Sequence, residues 1–164
     1  MSLHQLRIFA LYPVGPLITG GTLANGNGVG TLTSLPTYNL TVNATSVHID
    51  DFNSVDSGGP YTLDARGLFK TDDGAMIGVR SSGLLSNTPH VQAILANKTG
   101  VTPTQWGELD TMTVWSFQAT GKYQDLTEST FVANIRMFPS DNKDTTSYIE
   151  YRLSKVLPGL LCDS

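Results

Sequence analysis

Hydrophobic and polar residues alternate with a period of two along most of the chain, which is the pattern of half-buried β-strands. The clearest example spans residues 61–82, where the alternation enters and leaves a short polar segment, Thr71-Asp72-Asp73-Gly74. Acidic residues that bond their own backbone, followed by a glycine that accepts a positive φ, favour a turn at this point. The stretch is therefore predicted to form a β-hairpin.

A three-residue loop would determine the register of this hairpin. A type I turn followed by Gly74 in the left-handed region pairs Lys70 with Met76 and Arg66 with Arg80. This register separates an apolar face from a charged face, whereas a two-residue loop would mix them. The apolar face holds Tyr61, Leu63, Ala65, Phe69, Ile77 and Val79, and the charged face holds Asp64, Arg66, Lys70 and Arg80.

Further strands are predicted on both sides of the hairpin. They cover residues 3–12, 37–50, 111–120, 130–138 and 147–156, and a loop is predicted at 51–60. The glycine-rich piece Asn25–Gly30 lacks a phosphate-loop pattern, so we interpret its glycines as positions where a barrel strand bends.

One helix is predicted. Asn87-Thr88-Pro89 offers a cap and a proline at the first helical position, and Gly100 can end the helix, which gives a length of about ten residues. Together these elements predict an all-β fold, a single antiparallel β-barrel with one short α-helix, as a single domain over residues 1–164.

Composition excludes several classes of partner. The net charge is −4 with no cluster of Lys and Arg, so a nucleic acid is not an expected partner. No apolar run approaches the ~20 residues of a membrane helix, and the N-terminal segment lacks the features of a signal peptide. The lone Cys162 excludes an internal disulfide and fits a reducing compartment, so a cytoplasmic location is expected. The scattered His4, His48 and His90, with no nucleotide motif, predict neither a metal nor a cofactor.

The charged face of the hairpin leaves two interpretations open. Charged sheet faces are usually solvated. Alternatively, the face lines a wet cavity inside the barrel, where Asp64 pairs with Arg66 or Arg80 and meets a ligand, because a barrel of about eight strands has room for one small ligand.

Carboxylates, arginines and aromatic residues remain as candidates for chemistry. Asp64 and Glu128 are candidates for proton transfer, because a carboxyl group in an apolar cavity has a raised pKa and can act as an acid near neutral pH. Arg66 or Arg80 could hold a phenolate or carboxylate oxygen, and Tyr61 could act as a phenolic donor. Aromatic side chains could line the cavity and stabilise a developing cation, with core packing as the alternative. These aromatics are Trp115, Phe117 and Phe131.

Several motifs resemble those of the domain of unknown function 3237 family. The most specific are in the hairpin: Leu63-Asp64-Ala65-Arg66, Thr71-Asp72-Asp73-Gly74-Ala75, and Arg80 with Gly83. Ile18-Thr19-Gly20-Gly21, the helix after Pro89 and the strand Tyr148–Leu153 are similar to its glycine motif, helix and last strand. The resemblance covers most of the chain and implies a small β-barrel.

The functional implication of this resemblance comes from some fungal members, which are associated with natural-product pathways and look like cofactor-free cyclases or isomerases. This chain is expected to be a member of that type. We therefore predict a cofactor-independent cyclase or isomerase for a small hydrophobic secondary metabolite, a polyketide or prenylated aromatic. Intramolecular addition of a hydroxyl to an alkene is the expected reaction class. The alternatives are a non-catalytic ligand-binding barrel and a structural protein with a filled barrel. A homodimer is predicted, because open edges and one-sided apolar strands are often covered by a second copy.

Overall fold

The computed structural model describes the chain except for residues 1–4, 14–17, 21–22, 37, 56–58, 141–144 and 158–164. The strands are β1 (Gln5–Pro13), β2 (Ile18–Gly20), β3 (Leu23–Ser34), β4 (Asn43–Val55), β5 (Tyr61–Thr71), β6 (Met76–Leu85), β7 (Met112–Gln118), β8 (Phe131–Pro139) and β9 (Thr145–Lys155). The helices in the described residues are α1 (Pro89–Leu95) and α2 (Gln124–Thr127), the latter preceded by a 3-10 turn, Gly121–Tyr123.

Eight of these strands close into a barrel. Neighbours pair antiparallel in the order β1-β9-β8-β7-β6-β5-β4-β3, and β3 pairs with β1 to complete the circle. The short β2 pairs with the start of β3. The predicted all-β antiparallel barrel is confirmed. Closure pairs each of the eight described barrel strands on both sides, so the homodimer prediction loses its argument from open edges. It stays a prediction, to be tested by sedimentation.

The predicted hairpin is formed by β5 and β6 in the predicted register. Lys70 pairs with Met76 and Arg66 with Arg80. The loop has three residues, with Gly74 at φ +86°, and the amide of Thr71 donates to the carbonyl of Ala75 at 2.9 Å. The apolar face points into the barrel, where its members Leu63, Ala65, Phe69, Ile77 and Val79 are buried.

The fourth strand differs most from its prediction. β4 continues through Asp51 to Val55, where a loop was predicted. The inward positions in this part are the polar Asp51 and Asn53, so hydrophobicity does not show the alternation. In β3 the glycine-rich piece is part of the strand, and the register with β4 shifts between Gly28 and Thr31. This irregularity lies where glycines were expected to let the strand bend.

Helix α1 begins at the predicted cap but is shorter than expected. The Thr88 hydroxyl accepts a hydrogen bond from the first turn, and proline occupies the first helical position. The helix ends before Gly100, because Asn97 adopts φ +46° and the amide of Lys98 donates to the carbonyl of Ala93 at 3.0 Å. Asparagine tolerates this left-handed conformation better than most residues do, and it ends the helix in a Schellman motif.

A second short helix, α2, was not predicted. It lies at the end of the barrel that carries the β5–β6 turn, and Tyr123 and Leu126 bury their side chains there. Asp73 of the turn accepts hydrogen bonds from Lys122 and from the Tyr123 hydroxyl. These contacts, with Lys122 as the largest cause, hold the pKa of Asp73 well below its ordinary value. A helix of one turn has too little periodicity to be recognised in a sequence.

The described helices are all short. The longest, α1, has seven residues, and no helix among the described residues could span a bilayer. His4 and Cys162, which the sequence singled out, lie outside the described residues.

His90 of α1 joins the helix to the segment that follows it. Its Nδ1 lies 2.6 Å from Glu108 Oε1, and its Nε2 lies 2.8 Å from the carbonyl oxygen of Thr102. Both partners are acceptors, so both contacts are hydrogen bonds only when the ring is protonated. The Thr102 carbonyl and then Glu108 raise the pKa of His90 above 6.5. The amide of Gln105 and then His90 lower the pKa of Glu108 below 4.5.

We expect this contact to make stability depend on pH. A histidine whose pKa is raised on folding contributes its full stabilisation below its pKa in the unfolded chain, and this contribution is lost as pH rises through its pKa in the folded protein. A carboxylate whose pKa is lowered on folding loses its contribution as pH falls through its pKa in the folded protein. The melting temperatures of the wild type and of His90→Gln should therefore differ most at about pH 5–6.5, between the ordinary pKa values of a glutamate and a histidine. The difference should shrink at higher pH. His48→Gln, at an exposed histidine, is the control. A difference in melting temperature between the wild type and His90→Gln that does not change with pH would contradict the protonated state of His90 in this contact.

Candidate functional site

The inward side chains change in character along the barrel. At the end closed by α2 they are large and apolar, and include Leu6, Leu32, Phe69, Ile77, Phe117, Phe131 and Leu153. Toward the opposite end, where β5 begins, most are small or polar, and include Ala10, Asp51, Ala65, Ser81, Thr113 and Ser147. We call the part of the interior formed by this second group the polar end. The same end also buries the apolar Leu63, Leu85, Met137 and Ile149, so its polar groups stand among apolar side chains, which is the usual lining of a small-molecule site.

Trp115 and Tyr151 mark the boundary between the two parts. Their rings pack edge to face with centroids 5.0 Å apart, and Trp115 Nε1 donates to Thr113 Oγ1 at 2.8 Å. The void beside them, bordered also by Ile49 and Ala65, has a volume of about 10 Å³, which is the space of about one water molecule. The centre of the barrel is therefore filled at this level, and a bound ligand would lie beyond it, at the polar end.

Asp51 places a carboxylate in the barrel interior. Its side chain is 3% exposed, and its cross-strand neighbours, Gly26 on β3 and Ala65 on β5, are small. Among the described residues it belongs to no cluster of side chains that could hold a metal ion. A carboxyl group held away from bulk water is the type of group that transfers protons to and from a bound molecule.

Asn53 adds a second polar group on the same face of β4. Its Oδ1 is buried, and no described residue donates a hydrogen bond to it. A buried acceptor without a partner costs about 1–3 kcal/mol. A hydroxyl or amide of a bound molecule would therefore be favoured at this position, and the polar end has the properties of a ligand site.

The structure brings three of the predicted site residues together on the outer face of the barrel. Asp64 Oδ2 lies 3.6 Å from Arg66 Nη2, and Asp64 Oδ1 lies 3.6 Å from Arg80 Nε. Both arginine side chains are about 60% exposed. Of the two interpretations of the charged face, the structure agrees with the outward-facing one and not with the interior cavity. The functional roles of these residues stay predictions.

Three other predicted site residues lie at the α2 end, away from Asp51. Phe117 and Phe131 pack edge to face, with ring centroids 5.2 Å apart, within the core. Core packing, the alternative given for these aromatics, describes their position. Glu128 is exposed and follows directly after α2.

The remaining two predicted residues lie closer to the polar end. Tyr61 is the half-buried first residue of β5, and Trp115 borders the polar end on the side that faces the α2 end. Sequence reasoning missed Asp51 and Asn53, because it placed both in a loop. The signal that could have found them is the continued spacing of two from Ile49, with polar residues in the place of apolar ones.

Comparison with known proteins adds a family and supports the fold. The family model described as a protein of unknown function (DUF3237) matches residues 17–156. None of the curated proteins is similar to this chain.

Three solved structures are similar over almost the whole chain. A protein with unknown function from Clostridium acetobutylicum ATCC 824 is 17% identical, with 96% of this chain and 100% of that chain covered and a TM-score of 0.66. A conserved protein of unknown function from Rhodopseudomonas palustris is 18% identical, with 94% and 96% covered and a TM-score of 0.70. An enzyme from Penicillium herquei is 16% identical, with 94% and 96% covered and a TM-score of 0.51. At these identities the likeness shows the fold alone.

Proposed function

This chain belongs to the DUF3237 family, which is described only by its unknown function, and we propose from the interior of its barrel that it is a cofactor-independent isomerase or cyclase. Its substrate would be a small hydrophobic metabolite bound at the polar end. The observation that carries this proposal is the buried carboxylate of Asp51 on the inward face. Catalysis has a precedent in this fold, since the similar barrel from Penicillium herquei is described as an enzyme.

The residues at the polar end divide into three roles. Asp51 transfers the proton, the role that the sequence assigned to Asp64 or Glu128, which both lie outside the barrel interior. Asn53 Oδ1 accepts a hydrogen bond from a substrate hydroxyl. Trp115 offers an aromatic surface that favours an apolar substrate and stabilises a developing cation.

The reaction that suits this set is the intramolecular addition of a hydroxyl group to an alkene. Asp51 in its acid form protonates one alkene carbon, and the π electrons form the new C–H bond. The substrate hydroxyl oxygen then attacks the resulting cation to form the C–O bond, and its proton returns to the Asp51 carboxylate. Substrate and product have the same composition, so the step needs no oxidant or reductant.

Deuterium labelling tests this proposal on a panel of compounds, so the substrate need not be identified first. The protein is incubated in D2O with prenylated phenols and unsaturated polyketides, and the recovered compounds are analysed by mass spectrometry and NMR. We expect one compound to be converted into a cyclic isomer that carries one carbon-bound deuterium. Conversion without carbon-bound deuterium would contradict proton transfer to the alkene.

The same experiment separates the enzyme from a non-catalytic ligand-binding barrel. Asn53 Oδ1, to which no described residue donates, favours ligand binding in either case. Tight binding of a compound that is recovered unchanged and without deuterium would support the carrier and overturn the proposed enzyme. Titration of the protein with each panel compound, followed by Trp fluorescence, supplies the binding measurement.

A further inference from the structure

A groove of about 560 Å³ crosses the outer face of the barrel from β4 to β7. Its lining includes His48, Arg66, Leu68, Gly78, Arg80 and Gln118. The volume lies within the range of about 300–1,000 Å³ that is usual for small-molecule sites. The groove is on the opposite side of the sheet from Asp51, so it is a separate site from the one proposed for catalysis.

The two arginines of this groove keep hydrogen-bond donors available. Arg66 and Arg80 are directly opposite each other on β5 and β6, and both approach the single carboxylate of Asp64 at 3.6 Å. That distance exceeds the roughly 2.7–2.9 Å of a charge-assisted hydrogen bond. Among the described residues, Asp64 Oδ1 accepts no hydrogen bond. The carboxylate therefore holds the guanidinium groups near each other without occupying their N–H donors.

The charges around the groove favour an anion. Like charges directly opposite on a sheet repel each other. Asp64 offsets only part of the repulsion between Arg66 and Arg80, so an anion bound between the two guanidinium groups would lower it further. His48 also lines the groove. Its Nε2 lies 3.9 Å from Asp50 Oδ2, and neither Asp50 nor Asp64 is part of the lining.

The floor of the groove adds room for an apolar group. Leu68 lines it beside Gly78, where a Cβ atom would lie 3.5 Å from the Gln118 Cβ. This is ordinary van der Waals contact, so a Cβ atom added at Gly78 would fit the strand and reduce the depth of the groove. The bound molecule would thus combine an oxyanion with a small apolar body.

We propose that this groove is a binding site for a small organic oxyanion, a carboxylate or a phosphate ester. The forks of Arg66 and Arg80 hold the oxygens, because a guanidinium presents paired N–H donors that match a carboxylate or phosphate. The apolar body lies on Leu68 and Gly78.

Titrations with benzoate and with inorganic phosphate test the site. The Arg Nε–H signals are followed by NMR in the wild type, Arg66→Met, Arg80→Met and Lys70→Met. Lys70 is an exposed cation on the outward face of β5 but not in the groove lining, so its variant removes the same charge elsewhere. We expect saturable shifts in the wild type, a loss of affinity of about tenfold or more in each arginine variant, and a change below about twofold in Lys70→Met.

The two probes and a further variant decide the result. Binding of benzoate assigns a carboxylate ligand, and binding of phosphate alone assigns a phosphate ester. Saturable binding of neither probe, or an equal loss in Lys70→Met, overturns the proposal. Gly78→Val keeps both arginines, and its folding is verified by its melting curve. This variant should lower the affinity for benzoate more than the affinity for phosphate. Unchanged benzoate binding would overturn the placement of the apolar body on Leu68 and Gly78.

Discussion

We expect Asp51→Asn to reduce turnover by about 10²–10⁴-fold, the usual contribution of a general acid or base, while the protein stays folded. Asparagine matches aspartate in size but cannot donate and recover a proton, so substrate binding should survive. The measurement is the initial rate of product formation with the compound identified in D2O, together with its dissociation constant.

Asp50→Asn is the matched control for this prediction. Asp50 is the preceding residue on β4, but its side chain points outward and is 41% exposed. Its variant should retain activity within a few-fold. If Asp51→Asn is fully active, the proton is transferred by another group, and the predicted roles of Asp64 and Arg66 on the outer face become the next hypothesis to test.

We expect Phe131→Ala to lower the free energy of unfolding by about 3–5 kcal/mol. Its side chain is 0% exposed and makes edge-to-face contacts with Phe117 and Tyr38, at centroid distances of 5.2 Å and 6.3 Å. Truncation leaves a cavity that this packed end of the barrel cannot close. The loss would be a large part of the roughly 5–15 kcal/mol that stabilises a typical domain. Urea unfolding at equilibrium measures it.

Phe52→Ala provides a control with the same chemical change. Phe52 is on the outward face of β4 and is 41% exposed, so we expect a change of about ±0.5 kcal/mol. A Phe131→Ala variant with wild-type stability but without ligand binding would instead support the assignment of Phe131 to substrate binding.

The parts of the fold that could be predicted are those controlled by local chemistry. The β5–β6 hairpin was predicted with its register, because Asp72, Asp73 and Gly74 specify the turn and the alternation on both sides allows one pairing. The start of α1 was predicted for the same reason, since Thr88 and the following proline act within one turn of the helix.

The candidate site could not be predicted in this way. Asp51 and Asn53 occupy inward positions, but a strand with polar inward residues has the hydrophobicity profile of a loop. Only the pairing of β4 with β5, which joins residues from distant parts of the chain, identifies this segment as a strand.

Position on a strand also does not determine burial. Glu150 alternates outward on β9, yet it is buried and pairs with Arg7, whose Nε lies 2.7 Å from Glu150 Oε1. Nearby on the same outer face, Arg136 Nε donates at 2.7 Å to the carbonyl of Thr104, in the segment that follows α1. These contacts join residues that are far apart in sequence, so no local pattern reports them.

The sequence by itself determined most of the strands, the hairpin with its main turn and the fold class, because these follow from the chemistry of neighbouring residues. The tertiary structure alone decided which side of each strand is inside. Closure of β1 against β3 encloses the apolar face of the hairpin and leaves Asp64, Arg66 and Arg80 outside. It also brings Asp51 inside, since a barrel gives every strand one enclosed face, whatever residues occupy it.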